Sequence, residues 1–287
     1  SAFGTEVTQL NRSSRLLRGV DEEVVARFEE AASKQWNIVK DASLSEIREN
    51  ADGSVTVVAK HTTENGEELL EIPADAVLVA TGRRPNTDTL NAKNYFDVQD
   101  GGQLSVDKYQ RVLYNGAPVP GVYALGDVSS RYQLKHVANH EARVVQHNLS
   151  HPEDLRASDH RYVPAAVFSN PQIAVVGMTE EQARQAAERE GFEITVKAQN
   201  FGDTAYGWAM EDKIGLCKLI ARKDNGELLG AHLVGEESSV LIQPLLQAMS
   251  FGMDARTLAR GQYWIHPALT EIVENALLGL EFDEPAN

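Results

Sequence analysis

Residues 76–82, Ala-Val-Leu-Val-Ala-Thr-Gly, constrain the fold more than any other stretch of the chain. Five consecutive apolar residues offer no polar face to water, so the run reads as a strand buried on both sides, as in the middle of a parallel sheet. Its end in Thr81-Gly82 fits a strand that stops at a ligand crevice, where glycine lets backbone approach a bound group. A second short run, Val122 to Leu125, ends in Gly126-Asp127 in the same manner. It follows a stretch from Gly116 to Gly121 that holds Pro118 and Pro120 and reads as turn-rich. Strand ends of this kind point to an α/β architecture.

Around these runs the chain reads as strand, loop and helix. Thr5 to Asn11 is a short strand, and Asp21 caps an amphipathic helix in which Val24, Val25, Phe28, Ala31, Ala32 and Trp36 recur at helical spacing. Val55 to His61 and Glu68 to Ile72 flank the turn signal Glu64-Asn65-Gly66 and form a predicted hairpin. Leu134 to Leu149 reads as helix, and the polar stretch His151 to Arg161 as a linker. Beyond it the pattern turns α+β. Ile173 to Val176 is a predicted strand and Thr179 to Glu190 a helix. Gly215 to Ala221 pairs with Glu227 to Val234 across Asp224-Asn225-Gly226, and Ser239 to Ser250 and Pro267 to Leu280 are predicted helices.

Composition excludes some functions. The formal charge of -15 over 287 residues disfavours a nucleic-acid partner, which needs a cationic surface. No apolar run approaches the roughly 18 residues of a membrane span, so the expectation is a cytoplasmic protein with no membrane partner. The one cysteine, Cys217, cannot form an internal disulfide, and its place in a predicted strand suggests a small buried apolar role.

Four strings carry the chemistry. Ala-Thr-Gly-Arg-Arg-Pro-Asn covers residues 80–86, with Gly82 and Arg83 at its centre. Tyr-Ala-Leu-Gly-Asp covers 123–127 and precedes a helix opened by Lys135 and His136. His266-Pro267 is followed by Glu271, a spacing that sets an imidazole at a helix mouth with a carboxylate one turn in. Lastly, Arg12, Arg15 and Arg18 follow the first strand, where a 2'-phosphate on an adenosine ribose could be met; a solvated basic loop is the alternative reading. In this order the strings resemble the class I pyridine nucleotide-disulfide oxidoreductases, a family of FAD-dependent enzymes, over nearly the whole chain. Around the histidine, Gln262-Tyr263-Trp264-Ile265 is most similar to the mycothione reductase branch, although Tyr263 and Trp264 also read as packing aromatics.

The resemblance implies part of a two-dinucleotide-domain flavoprotein followed by an α+β interface domain. Its expected divisions are residues 1–84 (nicotinamide coenzyme), 85–157 (FAD) and 158–287 (dimerisation). It assigns Gly126, Asp127, Lys135 and His136 to FAD, and Arg12, Arg18, Gly82 and Arg83 to NADPH. His136 is equally a helix-start residue without a chemical role. In the family, electrons pass from NADPH through FAD to a redox-active cysteine pair, and His266, oriented by Glu271, serves thiol-disulfide exchange in the partner subunit of a homodimer. The substrate implied is a small-molecule disulfide. The chain departs from the pattern in holding neither a Gly-x-Gly-x-x-Gly fingerprint nor a Cys-x4-Cys pair. It therefore reads as the C-terminal portion of such an enzyme, inactive in isolation. Two rival readings are an NAD-dependent dihydrolipoamide dehydrogenase, suggested by His136, and a non-catalytic dimerisation fragment.

Overall fold

The computed structural model describes residues 1–283. It divides the chain into two compact units, one of residues 1–78 with the segment from Pro164 onward, the other Val79–Val163. The first begins with β1 (Thr8–Leu10), α1 (Glu22–Ala32) and β2 (Asn37–Val39), and β1 and β2 pair in parallel. Asp21 caps α1 as predicted, its side chain accepting from the Glu23 amide at 3.2 Å. β3 (Ala42–Glu49), β4 (Val55–Thr63) and β5 (Gly66–Ala74) form an antiparallel sheet that contains the predicted hairpin. β3 was not expected, since its eight residues are mostly polar and all but Ala42 are exposed.

The apolar run 76–80 is a correction to the sequence reading. It is not a strand, and its side chains face solvent, with Leu78 89% exposed. A strand is made by its neighbours, because its backbone groups need a ladder on each side. Among the described residues none pairs with this run.

In the second unit, β6 (Arg111–Tyr114) and β7 (Ala117–Tyr123) form an antiparallel ribbon over a small core of Ala92, Leu104, Val112 and Ala124. The stretch expected to be turn-rich is thus mostly strand. Its two prolines are accommodated because a two-stranded ribbon has an open edge that requires no donor. The predicted helix forms as α2 (Lys135–Ser150), burying Val137, Glu141, Val144, Val145 and Asn148 along one stripe.

The remainder of the first unit is built on a five-stranded sheet. Its strands are β8 (Ala165–Val167), β9 (Gln172–Gly177), β10 (Ile194–Asn200), β11 (Leu216–Arg222) and β12 (Leu228–Gly235), in the spatial order β10-β11-β12-β9-β8. The helices are α3 (Glu180–Glu190), α4 (Ala205–Ala209), α5 (Ser238–Leu241), α6 (Gln243–Phe251), α7 (Ala255–Arg260) and α8 (Glu271–Leu278). The single helix expected over 239–250 is broken beside Pro244, which cannot donate to the preceding turn. The last helix begins at Glu271 rather than Pro267, because the Ala268 amide is taken by the Glu271 side chain at 3.3 Å.

β11 is buried along nearly its whole length, so both sheet faces are covered. Leu216 and Val234 face α1, packing with Val20, Val24, Val25 and Phe28. On the opposite face, Lys197 shares its side with its cross-strand neighbour Leu219 and lies under Gly279 at the end of α8. The overall fold is therefore mixed α/β, as expected, with an α+β portion after residue 163. Among the described residues no helix is long and apolar enough to cross a membrane.

Phe201 is fully buried, and its ring fills the space left by Gly215 and Gly235, where a Cβ on either glycine would fall 2.3 and 2.6 Å, respectively, from ring atoms. Phe201→Ala should lower unfolding free energy by about 3–5 kcal/mol in urea titrations, and a loss under about 1 kcal/mol would contradict this packing.

Candidate active site

His266 and Glu271 meet, as the family resemblance implies, although Glu271 is the first residue of the helix and not one turn in. The imidazole Nδ1 lies 2.7 Å from Glu271 Oε1, and the other carboxylate oxygen accepts from the Ala268 amide at 3.3 Å. The histidine side chain is 68% exposed and that of the glutamate only 15%. The carboxylate is thus fixed by the first turn of α8 while the ring stands in solvent. The hydrogen bond to His266, ahead of a small opposing effect of burial, holds the Glu271 carboxyl below the usual glutamate range. Trp264 is an anchor: its Nε1 donates to the Ala259 carbonyl at 2.9 Å. Tyr263 and Ile265, on either side of it, are exposed.

The residues assigned to FAD gather at one loop and helix. Gly126 has φ +69, a conformation that favours glycine, and a Cβ there would sit in tight contact, 3.2 Å from the Ala138 Cβ. Asp127 is exposed, and Lys135 and His136 stand exposed in the first turn of α2, whose N-terminus has no side-chain cap. Gly82 is exposed at φ +129, and the neighbouring Arg83 guanidinium lies 3.1 Å from the Asp127 carboxylate. A residue assigned to the nicotinamide coenzyme therefore contacts one assigned to FAD.

Arg12 and Arg18 lie on the loop after β1 in the other unit. Asn11 ties this loop to itself, donating from Nδ2 to the Ser13 carbonyl at 2.6 Å and the Arg15 carbonyl at 3.2 Å. Leu16 is buried against α1, and Arg12 and Arg18 point outward as exposed cations at the C-terminal end of a parallel strand.

Sequence reasoning missed two buried charges. Glu141, almost fully buried on the apolar stripe of α2, accepts from the Gly126 amide at 2.6 Å and supports the loop that carries Asp127. Lys218 lies in the middle of β11 among buried apolar residues. A carboxylate on an apolar helix stripe and an ammonium in an apolar strand were the available signals. Cys217 is fully buried, as expected, and desolvation pushes its thiol well above the usual range, which leaves it unreactive.

A glycine-carboxylate loop, exposed arginines after a parallel strand and an exposed imidazole held by a carboxylate are groups suited to nucleotide binding and proton transfer. Residues 1–142 match the pyridine nucleotide-disulphide oxidoreductase family, and residues 163–277 match its dimerisation domain. The chain belongs to the class I pyridine nucleotide-disulphide oxidoreductases, an FAD-dependent family that takes a pyridine nucleotide. It is 51% identical to mycothione reductase of Mycobacterium tuberculosis over 98% of this chain and 58% of that protein. It is 32% identical to a dihydrolipoyl dehydrogenase of Synechocystis over 96% of this chain and 58% of that protein. Among solved structures, the HOCl-induced flavoprotein disulfide reductase RclA from Escherichia coli aligns with TM-score 0.83 at 27% identity, covering 96% of this chain and 60% of that one. The chain spans about 58% of the length of the curated relatives it matches first.

Because the folded glutamate is depressed, the His266–Glu271 bond contributes in full above the ordinary glutamate range and fades as pH falls through the lowered value. Carboxyl-resolved NMR titration should place Glu271 below a typical exposed glutamate, and His266→Ala should move it back upward. An unchanged Glu271 midpoint in that variant would show that the bond does not set it.

Proposed function

We propose that the chain belongs to an NADPH-dependent flavoprotein disulfide reductase that reduces mycothiol disulfide, a mycothione reductase working as a cytoplasmic homodimer. The observation that carries the reading is the 51% identity to such an enzyme along the chain, and the exposed imidazole held by a carboxylate at 2.7 Å agrees with it. In this reading residues 1–84 belong to the coenzyme domain, 85–157 to the FAD domain and 158–287 to the interface domain. Neither a nucleic-acid nor a membrane partner is part of it.

The residues present fit both cofactors. Gly126 leaves bare backbone beside an exposed Asp127 carboxylate, which can accept from hydroxyls, and the uncapped amides of α2, with Lys135 and His136, can face an electron-rich group. Arg12 and Arg18 would hold the 2'-phosphate that distinguishes NADPH from NADH, with Gly82 and Arg83 serving the remainder of the coenzyme. When bound, the two cofactors supply hydride and electron-pair transfer. The protein's own contribution is proton management. With Nδ1 engaged by Glu271, His266 presents Nε2, from which a protonated ring can give a proton to a departing thiolate. The attacking thiolate would come from residues other than the inert Cys217. His266 would complete the site of the partner subunit, so that dimerisation is part of catalysis.

A second reading, a dihydrolipoamide dehydrogenase using NAD, is favoured by the 32% identity to such enzymes. Coenzyme oxidation with mycothiol disulfide, glutathione disulfide and lipoamide separates the two: selective turnover of mycothiol disulfide is expected, and preference for lipoamide would overturn the proposal. Arg12→Ala with Arg18→Ala should raise KM for NADPH about 10- to 100-fold, the value of one or two charge-assisted contacts, and leave NADH nearly unchanged. Equal losses for both coenzymes would remove the phosphate role.

A further inference from the structure

We infer that Lys218, on the interior strand β11 of the dimerisation portion, is a positioning residue for the coenzyme loop carrying Arg12 and Arg18, and that it acts through Asp21. The inference rests on the coenzyme reading above for its functional meaning, while its structural content stands separately.

Lys218 is 6% exposed and Asp21 3%, and their Nζ and Oδ1 atoms lie 2.9 Å apart. The same ammonium reaches Glu180 Oε2 at 2.7 Å and Glu23 Oε2 at 3.3 Å. Asp21 is the junction of this cluster. It caps α1 through the Glu23 amide at 3.2 Å and accepts from the Glu180 amide, in the first turn of α3, at 3.0 Å. One carboxylate thus ties two helices to one sheet. Burial pushes the Asp21 carboxyl up, but the Glu180 amide and Lys218 bring it below its usual range. Burial likewise opposes the Lys218 charge, and Glu180 and Asp21 more than offset it, so its ammonium form is strongly favoured. His232, the cross-strand neighbour of Lys218, is buried on the same face, and burial favours its neutral form.

The coenzyme loop ends at this junction. Arg15 Nη2 donates to the Arg18 carbonyl at 3.1 Å and the Val20 carbonyl at 3.4 Å, immediately before Asp21. Arg15, Val20, Asp21, Glu180 and Lys218 line one cavity of about 340 Å³. At its other side the loop is held by the Leu16 amide donating to Glu29 Oε1 at 3.0 Å. Residues matched to the oxidoreductase domain are therefore clamped to a lysine from residues matched to the dimerisation domain. Breaking a buried pair from one side leaves the remaining charge uncompensated, which frees or displaces whatever it held. Here that is the loop's C-terminal anchor.

The test compares Lys218→Met, the milder Asp21→Asn, which keeps a capping oxygen, and Lys218→Arg in the holoenzyme. Amide exchange across residues 11–20 should rise about tenfold in the first two variants, with β10–β12 protection kept and Lys218→Arg close to the parent. In the same variants KM for the pyridine nucleotide should rise about tenfold with kcat within about twofold. Unchanged loop exchange in Asp21→Asn, or a uniform loss of protection with kcat falling alongside, would overturn the inference and leave a purely structural role. If loop exchange responds as expected while the Arg12 and Arg18 variants do not change coenzyme preference, the NADPH reading fails and the positioning role stands.

Discussion

The burial of β11 and β12 on both faces is the constraint on which the functional parts of the first unit depend. A strand covered on two sides commits its alternate residues to two different cores. Leu216 and Lys218 face α1 and α3, and through Asp21 they fix the start of α1 and the end of the arginine loop. On the reverse face the sheet carries α8, whose first residue is the carboxylate that holds His266. One sheet therefore sets the coordinates of the exposed arginines and of the His266–Glu271 pair, although some 250 residues of sequence separate Arg12 from His266.

The second unit shows the same economy on a smaller scale. The Gly126-Asp127 loop needs a backbone that no side chain obstructs and an amide that is held in place. Glycine at positive φ meets the first need and the buried Glu141 carboxylate meets the second. Leaving that carboxylate without a partner in an apolar stripe would be costly, so the contact with the Gly126 amide also stabilises the helix against the loop.

Legibility in the sequence followed how local the determinants are. The α1 boundary could be read from Asp21, and the β4–β5 hairpin from Asn65-Gly66, because caps and tight turns are decided by a few adjacent residues. The His266–Glu271 pair was legible through the resemblance of its His-Pro and glutamate spacing to the family signature, whereas the start of α8 at Glu271, set by the Glu271 side chain on the Ala268 amide, was not. Ala76 to Ala80 was misread, since a buried parallel strand is defined by distant neighbours and not by its own composition. The prolines in β7 misled in the opposite direction, as their tolerance depends on an open ribbon edge that no local rule reports. Lys218 and Glu141 escaped because their partners lie in other elements: Asp21 is 197 positions from Lys218 in sequence.

The proposed mechanism gives the imidazole of His266, held by Glu271, the proton of thiol-disulfide exchange and no part in coenzyme oxidation. Stopped-flow measurement of the two half-reactions in His266→Gln holoenzyme tests it most directly. Flavin reduction by NADPH is expected to keep the parent rate while reoxidation by the disulfide slows by about 10²- to 10⁴-fold, the usual worth of a general acid. Reoxidation at the parent rate, or equal slowing of both half-reactions, would contradict it.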